Sequence, residues 1–306
     1  MMNVIEIKGL TKYYGDFRAL NQINLNVKKG EVLGFLGPNG AGKTTTIRIL
    51  LGMLKKSSGI AKIFGKDVWK DSVDIHRRLA YVPGDVHLWP NLTGGEVIDL
   101  FCQLRGGLDQ KTKKGLIQRF DLDPTKKCGT YSKGNRQKVA LIAAFSSDVD
   151  LYILDEPTSG LDPLMTCIFQ ECVKELKERG KTILMSSHIL ADVEKLCDTV
   201  TIIRRGEIVE TGTLKDLRHM TRITMEVETE VQPTELKNFE WIYNLKVVDN
   251  KMIFQVDHNR INEILQYLTK FNIKSMVSTP PTLEELFMSY YGEDIALLKN
   301  GKGGGI

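Results

Sequence analysis

Hydrophobic and polar positions alternate through the first thirty residues. Val4, Ile5 and Ile7, and later Ile23, Leu25 and Val27, are spaced by polar residues, the period of half-buried strands. Val32-Leu33-Gly34-Phe35-Leu36 has no polar side chain, as a strand buried on both faces requires. It leads directly into Gly37-Pro38-Asn39-Gly40-Ala41-Gly42-Lys43-Thr44, after which Ile47, Ile49, Leu50, Leu51 and Leu54 predict a helix packed into a core. From about Asp85 to Phe145 the pattern becomes helical and more polar. There Thr93 and Glu96 form a capping box that opens a helix through Val97, Ile98, Leu100 and Phe101. Strand-like runs return at Leu151–Leu154 and Thr182–Met185. Between them Asp162-Pro163 marks a helix start, with Asp as N-cap and Pro at the first helical position. Strands and helices alternating at this spacing predict an α/β fold, a parallel sheet flanked by helices.

The texture changes again after residue 218. Ile223, Met225 and Val227 alternate as one strand, and Met252, Phe254 and Val256 as another. Ile261, Ile264, Leu265 and Leu268 fall on one helix face. Thr282 and Glu285 form a second capping box after Pro280-Pro281, predicting a short helix through Leu286 and Phe287. The expected organisation is a large domain over 1–218 with a helical part at about 85–145, a small α+β domain over 219–292, and a flexible Gly-rich tail over 293–306.

Composition narrows the function classes. Of 306 residues, 42 are Lys or Arg and 38 are Asp or Glu, and the excess is too small and too scattered for a nucleic-acid groove. The longest apolar run, Val139–Phe145, is far shorter than the roughly 20 residues that cross a bilayer. No secretory signal is visible in the opening Met-Met-Asn-Val-Ile-Glu-Ile, so a cytoplasmic chain is expected. Cys102, Cys128, Cys167, Cys172 and Cys197 show neither C-x-x-C pairing nor zinc-like spacing, and read as reduced packing residues.

The chemistry is concentrated in two places. Residues Gly37 to Thr44 satisfy G-x-x-x-x-G-K-[ST] between a predicted strand and a predicted helix. Glycines let backbone N–H groups converge on phosphate oxygens, and the helix adds its positive end. Lys43 would bridge the β- and γ-phosphates of ATP and the Thr44 hydroxyl would ligate Mg²⁺, with Thr45 beside them. The run Leu151-Tyr152-Ile153-Leu154 ends in Asp155-Glu156. Asp155 suits the magnesium shell, and Glu156 would face the γ-phosphate as general base for an attacking water.

Further motifs complete a family pattern. Tyr131-Ser132-Lys133-Gly134-Asn135-Arg136-Gln137 resembles the signature of ABC ATPases, with Ser132 lying 23 residues before Asp155. Ser159-Gly160-Leu161-Asp162 resembles their D-loop, and His188 in Met185-Ser186-Ser187-His188 their switch histidine. Tyr14 sits where the family places an aromatic against adenine. The resemblance covers residues 4 to about 217 and implies a P-loop NTPase fold of ABC type, with antiparallel and helical subdomains around a parallel sheet. It also implies two domains paired head to tail, either a homodimer or a pair with a paralogous ATPase. Ser132 and Gly134 of one would grip the γ-phosphate held by the other, and Asp162 would belong to the same nucleotide site. A separately encoded membrane permease is the implied partner, which would hold the chain peripherally on the inner face of the membrane. The ending Pro281-Thr282-Leu283-Glu284-Glu285-Leu286-Phe287 resembles the accessory domain of the drug- and peptide-export branch.

Three features set this chain apart. Gly84-Asp85 stands where the family usually has a magnesium-touching glutamine, so Asp85 or water would take that contact, or hydrolysis would be slow. Tyr131 and Lys133 replace the commoner leucine and glycine of the signature. Trp69 and Trp89 read first as packing residues, although Trp89 lies in the loop where the family docks its partner. The competing readings are a soluble ABC ATPase acting on ribosomes or nucleic acid, and a slowly hydrolysing nucleotide-gated assembly module. A single nucleotide site without heptads or a basic arm disfavours the first.

Overall fold

The computed structural model describes residues 3–105, 110–219, 222–248 and 251–279. Its backbone separates into two compact units, the division falling after Thr211. The predicted Thr282–Phe287 helix and the Gly-rich tail lie outside the described residues.

The first unit begins with two long strands, β1 (Asn3–Tyr14) and β2 (Phe17–Lys28), paired antiparallel. Their alternation is realised as expected, with Ile5, Ile7, Ile23, Leu25 and Val27 buried. β3 (Val32–Leu36), buried at every position, runs into α1 (Lys43–Leu50). The helix ends one turn before the apolar pattern does, and Leu54 packs on the core from the loop beyond it. Next come β4 (Ser58–Ile63), β5 (Lys66–Asp67), α2 (Ser72–His76) and β6 (Leu79–Val82). Helices α3 (Gly94–Leu104), α4 (Gln110–Arg119) and α5 (Lys133–Phe145) make up the predicted helical stretch. The Thr93–Glu96 capping box forms in full, each residue's side chain accepting from the other's backbone N–H. The unit closes with β7 (Leu151–Asp155), α6 (Pro163–Glu178), β8 (Thr182–Ser187), α7 (Leu190–Leu196), β9 (Thr199–Arg204) and β10 (Glu207–Thr213).

Two sheets result. The antiparallel one has the order β2-β1-β4-β5 and the other β10-β9-β3-β8-β7-β6. In the second, β9, β3, β8, β7 and β6 are parallel neighbours. One core runs between the sheets, joining Ile5, Leu20 and Ile63 to Phe35, Ile47, Leu151 and Leu184. The parallel register places the ends of β3, β7 and β8 side by side, at the edge where open α/β sheets bind ligands.

The second unit takes in α8 (Leu214–His219), β11 (Ile223–Thr229), β12 (Ile242–Val248), β13 (Lys251–Val256), α9 (Ile261–Leu268) and β14 (Ile273–Thr279). Its sheet has the order β12-β13-β11-β14 and buries Met225, Val227, Phe254 and Val256 with Ile264 and Leu268 of α9. This is the α+β pattern read from the alternating strands.

Candidate nucleotide site

The loop between β3 and α1 is shaped by glycines for separate reasons. Gly37 packs so closely that a Cβ would stand 2.5 Å from the Ile203 carbonyl of β9. Gly42 takes φ +111°, a left-handed conformation that L side chains rarely adopt. Lys43 is buried, and its ammonium donates to the Gly37 carbonyl at 2.6 Å and the Pro38 carbonyl at 3.1 Å. Burial pushes its pKa down, and the carboxylates of Glu156 and Asp155 partly restore it. Thr44 and Thr45 follow in the first turn of α1, and Thr46, fully buried, donates its hydroxyl to the Gly42 carbonyl at 2.9 Å.

The acids arrive from β7. Asp155 is buried, its Oδ2 accepting from Thr44 Oγ1 at 3.3 Å and its Oδ1 from Ser186 Oγ at 2.5 Å. Burial raises its pKa above the ordinary carboxylate value, against the lowering effect of those two hydroxyls. Glu156 adopts φ +46°, unusual for a side chain with a Cβ. Its N–H donates both to Ser186 Oγ at 3.1 Å and to the Ser186 carbonyl at 3.2 Å, which holds the backbone in that turn. The turned carboxylate lies between two side chains, with the Lys43 ammonium Nζ at 3.7 Å from Oε1 and the His188 imidazole Nδ1 at 3.3 Å from Oε2. Phosphate loop, both acids and histidine thus meet at the ends of three adjacent strands.

Thr44 and Asp155 form a hard oxygen donor set suited to Mg²⁺. Gly84 lies against this cluster, where a Cβ would come 3.2 Å from the Asp155 carbonyl. Asp85 does not reach toward it, because its carboxylate pairs with His87 Nε2 at 3.0 Å and both are exposed.

The remaining predicted residues lie elsewhere. Ser132 is the N-cap of α5, accepting from the Asn135 N–H, and Asp162 caps α6 by accepting from the Met165 N–H at 2.9 Å. Gly134 touches the turn after β7, where a Cβ would meet the Gly160 carbonyl at 2.6 Å. Tyr14, nearly half exposed at the end of β1, has the Lys12 ammonium 5.0 Å from its ring centroid. Of the unusual signature residues, Tyr131 is buried and donates to the Asp123 carbonyl. The larger ring fits because position 94 is glycine, where a Cβ would lie only 2.5 Å from the Tyr131 hydroxyl.

The packing expectation for the tryptophans is corrected. Trp69 is 47% exposed and Trp89 52%, the latter covered on one side by Phe101 at 6.1 Å between ring centroids. Each sits outside regular structure, Trp69 in a turn with the Lys55 ammonium 6.0 Å from its ring centroid. Beside Trp89's partner Phe101 opens a groove of about 640 Å³, also lined by Met53, Val73, Tyr81, Leu104 and Arg105. The sequence reading singled out neither Ser186 nor Gly84's contact with Asp155, since both depend on strand register.

Residues 20–159 match the ABC transporter family, and residues 212–291 the C-terminal domain of DrrA1-3-like ATP-binding proteins. An ABC transporter ATP-binding protein of Methanocaldococcus jannaschii is 32% identical over 93% of this chain and 98% of its own. This chain belongs to the ABC transporter ATP-binding proteins. The bacitracin transport ATP-binding protein BcrA of Bacillus licheniformis is 37% identical, over 74% of this chain and 76% of its own length. A solved ATP-binding subunit of an ABC transporter superposes with a TM-score of 0.66 at 34% identity, covering 70% of this chain and 92% of that one. As an ABC ATPase, the protein binds and hydrolyses ATP. Among its described residues no helix is long and apolar enough to cross a membrane.

Proposed function

We propose that this ABC ATPase drives an exporter, working as a head-to-tail pair on a separately encoded membrane permease at the cytoplasmic face. The observation that carries the motor reading is the convergence of Lys43, Thr44, Asp155, Glu156 and His188 at one sheet edge. Export is supported by the DrrA-like second domain and by the bacitracin transport relative. In the nucleotide-bound site the phosphates take Lys43, and Thr44 with Asp155 would hold Mg²⁺, which supplies charge neutralisation on the phosphate oxygens. Glu156 then accepts a proton from the attacking water, and His188 keeps its carboxylate and the γ-phosphate aligned. Ser132 and Gly134 of the second subunit close the other side with a hydroxyl and a helix N-terminus. Tyr14 stacks on the adenine.

The groove beside Phe101 is the surface we assign to the permease. Its walls are mainly apolar with a basic margin of Arg77 and Arg105, and Met53 is 60% and Leu104 67% exposed. Such exposed apolar side chains gathered in a concavity are characteristic of partner sites. The test is capture of the tagged Glu156→Gln chain from detergent-solubilised membranes in ATP. Stoichiometric recovery of one polytopic membrane protein, lost on Leu104→Asp substitution, is the expected result. Recovery of ribosomes or soluble partners alone would refute the transporter assignment.

A further inference from the structure

The signature helix and the turn that follows β7 are joined at successive points along one seam. Gln137 of α5 is buried and donates Nε2 to the Pro157 carbonyl at 3.0 Å. Gly134 approaches the Gly160 carbonyl at a distance no side chain would permit. At the end of the seam, Lys133 Nζ donates to Ser159 Oγ at 3.0 Å while its methylenes lie over Gly160. Ser159 makes a second bond in the other direction, its N–H donating to the Glu156 carbonyl at 3.1 Å. One serine therefore bridges the residue beside Ser132 to the glutamate of the hydrolytic site. Lys133 is exposed, and Ser159 is its hydrogen-bond partner among the described residues.

We infer that Lys133 is a positioning residue, a clasp through Ser159 that makes the signature and Glu156 of one subunit move as a unit. The inference rests on the head-to-tail pairing proposed above. In that arrangement Ser132 reports on the nucleotide of the opposite site, whereas Glu156 acts on the nucleotide of its own. A rigid link between them passes the arrival of a γ-phosphate at one site to the general base of the other. A glycine at position 133 has no side chain with which to make this link. The substitution of lysine in the signature thus has a structural purpose that leaves the phosphate-facing groups, Ser132 and Gly134, untouched. The Ser159–Glu156 bond matters because Glu156 sits in a left-handed turn whose carboxylate direction follows its backbone.

The test separates clasp from phosphate ligand. Lys133→Met and Ser159→Ala are made singly and together in the full chain, for steady-state turnover with MgATP. The same changes in a Glu156→Gln background report ATP-driven dimerisation. A single solvent-accessible hydrogen bond predicts about threefold slower turnover at saturating ATP for each single variant. The double variant should be no slower than either, since both remove one contact. Lys133→Arg should retain turnover. The ATP concentration that half-saturates dimerisation should stay unmoved in every case. Additive losses would overturn the clasp, and so would a shifted dimerisation midpoint, which would make the ammonium a direct ligand of nucleotide or partner. If the unmodified chain hydrolyses ATP but the Glu156→Gln chain stays monomeric, the pairing fails and the coupling role falls with it.

Discussion

Lys43 and Asp155 are both held in protonation-sensitive positions by burial, and each is stabilised by contacts that would be redirected when nucleotide arrives. For Asp155, burial outweighs the Ser186 and Thr44 hydroxyls and raises the pKa. A carboxyl whose folded pKa is raised costs stability in its ionised form. That cost is absent below the unfolded pKa and grows as pH rises through the unfolded value toward the folded one. Asp155→Asn should therefore raise the melting temperature of the nucleotide-free protein at pH 7. The gap should close as pH falls below the ordinary carboxylate range. Calorimetry across pH checks this, and a lower melting temperature at pH 7 would contradict it. Lys43→Ala removes the charge proposed to meet the phosphates. It should weaken ATP binding at least tenfold, or about 1.4 kcal/mol, by titration calorimetry. Unaltered affinity would refute the phosphate-loop assignment.

Among the elements, the strand-loop-helix setting of residues 37–44 was legible because the motif's constrained residues are contiguous and flanked by an apolar strand and a helix. Asp162-Pro163 and Thr93–Glu96 were legible for a similar local reason, and both caps form. Ser186 was not, because its value comes from β8 lying beside β7 so that its hydroxyl meets Asp155 and Glu156. The exposure of Trp69 and Trp89 was equally hidden, since an aromatic residue in a loop carries no period by which its burial can be judged. Tyr131 illustrates a compensation visible only in three dimensions, an enlarged signature residue admitted by a helix-start glycine in α3. Gly94→Ala should destabilise the protein by roughly 1–3 kcal/mol through the clash with the Tyr131 hydroxyl. Adding Tyr131→Leu should recover much of that loss, as denaturant titration would show. Equal destabilisation with and without the second change would refute the pairing.

On the scale of the whole molecule, two compact units carry different chemistry. The first has the proposed nucleotide residues at the ends of β3, β7 and β8, and the second is an α+β unit with its own core. The first unit holds both a phosphate loop and a signature, but the hydrogen bonds of Ser132 and Asp162 stay within the starts of their own helices. In the proposed head-to-tail pairing, that separation leaves Ser132 and Gly134 to complete another chain's site. The most direct test is sedimentation of the Glu156→Gln chain with and without MgATP, alongside ATP turnover of the same preparation. The account predicts a monomer that becomes a dimer on adding ATP, with turnover reduced at least a hundredfold relative to the unmodified chain, the typical contribution of a general base. Undiminished hydrolysis, or a monomer at saturating ATP, would contradict it.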